Sequence, residues 1–224
     1  MPDVGHVRIR YSMHRWWRSH RGSVVQVAVV DYTQTDYTQA TRSELEWWLL
    51  FSIAVAGTGS DMTAKALGRF KFYIDSPEFP LMHIADVLED DPEVYDWAIF
   101  NARFRFIQRT KRAFADAARR FWCRDLRELT VDELEECYGV GPKTARFFLF
   151  TATPGARYAA LDTHILKWLS ALGYPNIPKS TPSGKNYKRI EQYFLQEADE
   201  RGIEPSKLDL AVWTAYKNGG VYEG

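Results

Sequence analysis

Apolar residues recur at helical spacing over most of the chain beyond residue 40. The first such segment places Leu45, Trp48, Leu49, Ile53 and Ala56 on one side of a helix, because they fall three or four positions apart. Similar patterns, bounded by Gly, Pro and capping residues, predict further helices along the rest of the chain. Residues 41–224 are therefore predicted to form one all-α domain.

Some helix boundaries can be predicted from local residue types. Ser43 is expected to cap the first helix, since a serine side chain can accept a hydrogen bond from a free backbone N–H. An unbroken apolar stripe from Trp97 to Phe121 predicts one long helix that begins at Pro92. Asp209, near the start of the last helical pattern, is interpreted as a further cap.

The first 40 residues follow a different pattern. The β-branched stretch 24–30 predicts a possible strand, and residues 33–41 are polar and typical of turns. Residues 1–40 are therefore predicted to be a short extension of the helical domain. Its arginines and its Trp16–Trp17 pair indicate either contact with nucleic acid or a partner, or an arm that is partly packed and partly in water.

A glycine turn joins two of the predicted helices near the middle of the chain. Gly139, Val140 and Gly141 form it, because glycine adopts the positive φ values of such turns without steric cost. Pro142 follows at the first position of the next helix, where its missing N–H costs nothing. Lys143 then falls in the first helical turn.

Lys143 is unusual at this place. The positive end of the helix dipole disfavours an ammonium group, and the neighbouring aromatic run would partly bury it. Both effects make a neutral, nucleophilic amine easier to reach. A surface lysine that binds phosphate is the alternative interpretation of the same residue.

Asp162 precedes another apolar helical pattern, which ends at Gly173. It is expected to cap that helix through its carboxylate. Two helix starts could thus bring the amine of Lys143 and the carboxylate of Asp162 toward one cleft. Such a pair is expected for covalent amine catalysis assisted by a carboxylate.

The stretches GVGPKTA and LDTHILKWL, in this order, resemble the helix-hairpin-helix DNA glycosylases with a Gly/Pro-Asp motif, the group of endonuclease III and 8-oxoguanine glycosylase. The resemblance implies the helix-hairpin-helix glycosylase fold, with the N-terminal extension added to it. It also implies a bifunctional DNA glycosylase and AP lyase that removes a damaged base, with an oxidised base favoured. Lys143 would attack C1′ of a flipped nucleotide and form a Schiff base, and Asp162 would activate the lysine or stabilise the transition state.

The resemblance also implies how double-stranded DNA would be bound. The backbone N–H groups of the turn at Gly139, Val140 and Gly141 would hold a phosphate, with Thr144 and Arg146 as additional DNA contacts. A monovalent cation held by backbone carbonyls is a further expectation for such a hairpin. No other metal site is expected, because the five histidines show no metal-ligand spacing.

A flipped base also needs a pocket with aromatic faces. Trp47, Trp48, Trp213 and Tyr216 are the candidates for stacking on it, with packing in the core as the alternative for each. His164 is interpreted as structural.

Composition limits the possible classes of protein. The chain has 224 residues, 46% of them hydrophobic, which is typical of a globular protein. Its 29 basic and 29 acidic residues cancel, so the charge does not by itself indicate a nucleic-acid partner. A second basic cluster between Arg103 and Arg124 could still present a positive face to phosphate. No P-loop is present, which argues against phosphoryl transfer.

Cys123 and Cys137 are the only cysteines and are expected to be reduced and buried. Two cysteines cannot supply the four ligands of an iron–sulfur cluster, so no such cluster is expected, and no organic cofactor is indicated.

No apolar run is long enough for a membrane span, and the N-terminus lacks the apolar segment of a signal peptide. A monomer in the cytoplasm, near the nucleoid, is the expectation, or in the host-cell cytoplasm if the chain is viral.

Two other functions are compatible with the same motifs. Some virus-encoded proteins that share this fold are thought to act in thymine hypermodification, as transferases that join amines to an activated base in DNA. A helix-hairpin-helix module that only binds DNA would need the glycine turn but not Asp162.

Overall fold

The computed structural model describes residues 37–74 and 78–222. Within these ranges all regular elements are helical: a 3-10 helix at Tyr37–Gln39 followed by ten α-helices. These are α1 (Arg42–Ala54), α2 (Ser60–Ile74), α3 (Pro80–Asp90), α4 (Pro92–Ala102), α5 (Ile107–Phe121), α6 (Val131–Glu135), α7 (Pro142–Ala152), α8 (Thr163–Ala171), α9 (Gly184–Arg201) and α10 (Pro205–Lys217). The all-α prediction is thus confirmed.

The predicted strand at 24–30 and the Arg/Trp patch lie outside the described residues, and the domain boundary at residue 40 stays a prediction. In the described part of the chain, no helix is long and apolar enough to cross a membrane.

Helices α1 to α7 share one hydrophobic core. Helix α1 lies at its centre, because its last ten residues, from Leu45 to Ala54, are all buried. It packs against α2, α3, α5 and α7. A helix that is buried all round has no polar face to expose, which explains why the pattern in α1 is apolar on every side.

Helices α8 to α10 build a second core around Trp168, Tyr187 and Phe194. Helix α10 packs against α8 and α9 and also reaches α7 of the first core. The chain passes from one core to the other between Ala152 and Thr163, so the start of α8 lies beside the first core.

The predicted long helix from Pro92 to Phe121 is wrong, because α4 ends at Ala102 and α5 begins at Ile107. Arg103 adopts a left-handed conformation with φ of 61° between them. The turn carries Phe104 into the core, where its ring lies 6.1 Å from that of Phe70 and 5.5 Å from that of Phe114. Burial of this ring accounts for the break.

The predicted cap at Ser43 is also wrong. Thr41 caps α1 instead, in a capping box in which its side chain accepts from the N–H of Glu44 and the Glu44 carboxylate accepts from the N–H of Thr41.

The thiols of both cysteines are free, but only Cys137 is buried as expected, and Cys123 is exposed. Burial raises the pKa of Cys137 to about 12, which keeps it protonated and unreactive.

The glycine turn forms as predicted between α6 and α7. Gly139 has φ of 81°, and the N–H of Val140 donates to the carbonyl of Cys137 at 3.0 Å. Gly141 caps α7 and Pro142 is its first residue. A Cβ added at Gly139 would lie 3.2 Å from the Cβ of Ala113 on α5, so the turn packs closely on that helix.

We expect Gly139→Ala to destabilise the protein by more than the roughly 1–2 kcal/mol that a left-handed conformation costs a residue with a Cβ. The excess comes from the contact with Ala113, which cannot move without α5. Chemical denaturation measures the change in the free energy of unfolding. Gly155→Ala is the control, since Gly155 has φ of 69° but open space around it. If both variants lose the same free energy of unfolding, the contact with α5 makes no steric contribution.

Candidate active site

Lys143 lies in the first turn of α7 and lines a cavity of about 1470 Å³ between the two cores. The cavity is larger than the roughly 300–1,000 Å³ of a small-molecule pocket. The ammonium nitrogen lies 5.0 Å from the ring centroid of Phe147. In the described part of the chain no carboxylate forms an ion pair with Lys143.

Asp162 lines the same cavity and caps α8, as predicted. Its Oδ1 accepts hydrogen bonds from the N–H groups of His164 at 2.8 Å and Ile165 at 2.9 Å. Among the described residues, none donates to Oδ2. The cap therefore fixes the carboxylate and leaves one oxygen available toward Lys143 or a substrate.

Asp209 is a functional candidate that the sequence analysis missed. It was interpreted as a helix cap, but Glu204 occupies the cap position of α10 and Asp209 lies within the helix, on the cavity wall. Its Oδ1 is buried and has no hydrogen-bond partner. The only sign of this role in the sequence was the position of an acidic residue between two leucines of a predicted helix.

The charge on Asp209 is disfavoured by its surroundings. Burial raises the pKa of this carboxyl well above its ordinary value, and the negative charge of Asp162 raises it further. The positive charge of Lys143 opposes both effects but is weaker. Lys143 and Asp162 are thus both close enough to Asp209 to act on its carboxyl, which retains its proton to higher pH than a carboxyl in water.

Two of the predicted aromatic residues line the cavity. Trp213 lies one turn beyond Asp209, with its ring edge-on to His164 at 6.4 Å, and the Nδ1 of His164 is buried without a partner. Trp48 also lines the cavity, but it is only 1% exposed and its indole N–H donates to Thr151. Trp213 is therefore the better placed of the two to contact a bound base.

The other two aromatic candidates are not on the cavity wall. Tyr216 packs behind His164, with the ring centroids 6.4 Å apart. Trp47 is buried against Phe70 and Lys71. Trp47 thus lies in the core, whereas Tyr216 is half-buried beside the second core, and neither is among the residues that line the cavity.

The DNA contact predicted for Arg146 does not fit its position. Its side chain is only 5% exposed and is already paired with Glu191 at 2.9 Å and Glu135 at 3.0 Å. A phosphate cannot reach a buried guanidinium held in this way. Thr144 is also buried, although it lies at the cavity wall.

The turn itself offers fewer free N–H groups than predicted. The N–H of Val140 is used in the turn, so a phosphate contact through it would break that bond. Among the described residues, the N–H groups of Gly139 and Gly141 donate to no other group, and Gly139 is exposed. These two N–H groups remain suited to an anion. The monovalent cation expected at the hairpin stays a prediction.

A basic groove of about 850 Å³ lies beside the turn, along α5. The guanidinium of Arg112 lies 3.9 Å from the ring centroid of Tyr138 in the turn. Arg112 and Arg119 are exposed, and neither has a carboxylate partner in the described ranges. By contrast, Arg120 is paired with Asp116.

The chain is similar in sequence to known proteins. No family model matches the chain. It is 32% identical over 169 residues to an 8-oxoguanine DNA glycosylase/AP lyase of Thermoplasma volcanium, covering 74% of this chain and 76% of the relative. A protein of the same description from Thermoplasma acidophilum is 29% identical over 168 residues, with the same coverage of 74% and 76%.

Solved structures show the same fold. The structure of Methanocaldococcus jannaschii 8-oxoguanine glycosylase/lyase in complex with a 15mer DNA containing 8-oxoguanine matches with a TM-score of 0.60 at 22% identity. The match covers 84% of this chain and 86% of that one. The resemblance to helix-hairpin-helix glycosylases is thereby confirmed, and the chain belongs to the family of 8-oxoguanine DNA glycosylases/AP lyases.

Proposed function

We propose that this protein removes 8-oxoguanine from double-stranded DNA and cleaves the strand through a Schiff base on Lys143. The observation that carries the proposal is the amine of Lys143, free of ion pairs, on the same cavity wall as the fixed carboxylate of Asp162. Membership of a glycosylase/lyase family favours base excision over the transferase and over a module that only binds DNA.

The reaction begins with loss of a proton from the Lys143 ammonium. The free Oδ2 of Asp162 is suited to accept it. The nitrogen then attacks C1′ as the glycosidic bond breaks, and the base leaves with the bonding electrons. The departing base takes the proton that the attacking nitrogen gives up, so the nitrogen and the base are both left uncharged.

The second stage is cleavage of the strand. The C1′–O4′ bond breaks as O4′ takes the proton held by Asp162, and the lone pair of the lysine nitrogen forms an iminium with C1′. The iminium acidifies the proton on C2′. Loss of that proton expels the 3′ phosphate by β-elimination, and hydrolysis of the iminium restores Lys143. One amine thus serves both steps, as expected for a nucleophile that remains bound to its product.

Asp209 and Trp213 are proposed to receive the flipped base. The base must leave the duplex stack to reach the cavity, and an aromatic face can stack on it there. A protonated carboxyl can donate one hydrogen bond and accept another. Asp209 therefore offers both a donor and an acceptor to the polar edge of a purine, which an ionised carboxylate would not.

The N–H groups of Gly139 and Gly141 are proposed to hold a backbone phosphate, with Arg112 and Arg119 of α5 beside them. These two arginines take the role that the sequence analysis assigned to Arg146. Their guanidinium groups can bind phosphate oxygens without first breaking an ion pair. Action as a monomer and a cytoplasmic location remain part of the proposal.

Borohydride trapping tests the chemistry. We expect the protein to form a covalent complex with a duplex that contains 8-oxoguanine, and Lys143→Gln to lose it, because only an imine can be reduced to a stable link. Lys167→Gln, an exposed lysine on α8, is the matched control and should retain the complex. Duplexes with thymine glycol, uracil or an abasic site complete the panel. If only the abasic duplex is trapped, 8-oxoguanine is not a substrate. If the folded protein traps none of the duplexes, the proposed lyase activity is absent.

The protonation of Asp209 predicts a pH dependence of stability. The pKa of this carboxyl is about 4 in the unfolded chain and higher in the folded protein. Its contribution to stability is therefore complete below about pH 4 and is lost as the pH rises through the folded pKa. We expect Asp209→Asn, which cannot ionise, to become progressively more stable than the parent above about pH 4. Denaturant unfolding at several pH values measures this. Asp90→Asn, an exposed carboxylate on α3, should show no such trend.

Salt dependence tests the DNA contacts on α5. Arg112→Gln and Arg119→Gln should each lower the slope of log affinity against log salt by about 1, equally for damaged and undamaged duplexes. Arg124→Gln is the control, because Arg124 is paired with Glu133 at 2.8 Å. A slope unchanged in both variants would show that this face does not contact DNA.

A further inference from the structure

The segment directly before Asp162 is held by side chains that come later in the chain. It forms no helix, and its backbone bonds to α9. The N–H of Ala159 donates to Glu191 at 3.0 Å. The hydroxyl of Tyr187 donates to the carbonyl of Ala159 at 2.7 Å and accepts from the N–H of Leu161 at 3.0 Å. Three backbone groups of the segment are thereby fixed by two side chains.

The same two side chains also hold the helix that carries Lys143. Arg146, one turn beyond Lys143, donates its Nε–H to Glu191 at 2.9 Å. Its guanidinium lies 4.4 Å from the ring centroid of Tyr187. A single oxygen, Oε1 of Glu191, therefore accepts both from α7 and from the segment that leads to Asp162.

The group is almost sealed from water. The side chains of Arg146 and Glu191 are 5% and 8% exposed, and Tyr187 is 1% exposed. Arg146 is further tied to α7 itself, because its Nη1 donates to the carbonyl of Pro142 at 3.2 Å. Buried polar groups with every partner in place allow little movement, since a displaced group would lose bonds that water cannot replace.

We propose that Arg146, Glu191 and Tyr187 form a clamp that sets the position of Asp162 relative to Lys143. They are positioning residues, because they touch the elements that carry the two groups and not the reacting atoms. The inference rests on the proposed function, in which these two groups act together. Positioning of this kind is catalytic in effect, since a displacement of about 1 Å can cost a hundredfold in rate.

Tyr187→Phe tests the clamp, since it removes only the hydroxyl and retains the ring. At saturating enzyme we expect the single-turnover rate of 8-oxoguanine excision to fall about 10- to 100-fold. Affinity for a duplex with a tetrahydrofuran abasic analogue, which cannot react, should stay within about twofold, because the clamp does not face DNA. Circular dichroism and thermal unfolding establish that the variant is folded.

Tyr174→Phe is the matched control. Tyr174 also donates its hydroxyl to α9, to Glu197 at 2.6 Å, but it does not touch the segment before Asp162. The variant should lose stability without losing rate. If Tyr187→Phe likewise excises at the parent rate, the clamp only stabilises the fold and the proposal is overturned.

Glu191 provides a second test that uses rescue. Glu191→Ala removes the oxygen shared by Arg146 and Ala159, whereas Glu191→Gln retains an oxygen there. We expect the Gln variant to excise clearly faster than the Ala variant at similar DNA affinity. Equal rates would overturn the clamp. Absence of excision by the parent protein itself would instead contradict the proposed function, so the two failures are distinguishable.

Discussion

The buried ion pair between Arg146 and Glu191 joins the two cores of this protein. Removal of one partner of such a pair costs about 3–5 kcal/mol, because the remaining charge is left without compensation. This is a large part of the roughly 5–15 kcal/mol by which a folded domain is stable. The proposed clamp uses the same pair, so one buried contact both joins the two cores and connects the elements that carry Lys143 and Asp162.

Two helix N-termini meet at the cavity, those of α7 and α8. Their positive ends favour anions at this place, which suits a phosphate backbone and the ionised Asp162. Asp209 lines the same cavity, where burial and the charge of Asp162 raise the pKa of its carboxyl. The two neighbouring carboxyl groups thus differ in their partners, because Asp162 accepts two backbone N–H groups at a helix start whereas Oδ1 of Asp209 is buried without a hydrogen-bond partner.

Local patterns in the sequence predicted the features that depend on a few neighbouring residues. The glycine turn, the cap at Asp162 and the helical periodicity belong to this class, since φ preferences and caps act over one turn of helix. The burial of Arg146 depends on Glu191, 45 positions away, and the break at Arg103 depends on where Phe104 finds space. Asp209 looked like a cap because its neighbours along the chain do not reveal the cavity. Tertiary contacts decided each of these cases.

The separation of the two cores along the chain has a consequence for synthesis. The first core is assembled from residues 37–152, which leave the ribosome before the residues of the second. Lys143 therefore belongs to a body that can pack early, whereas Asp162, the side chains of α9 and Asp209 arrive afterwards. A growing chain thus carries Lys143 before the two carboxyl groups that line the same cavity. The proposed reaction centre is complete only after α10 has been made.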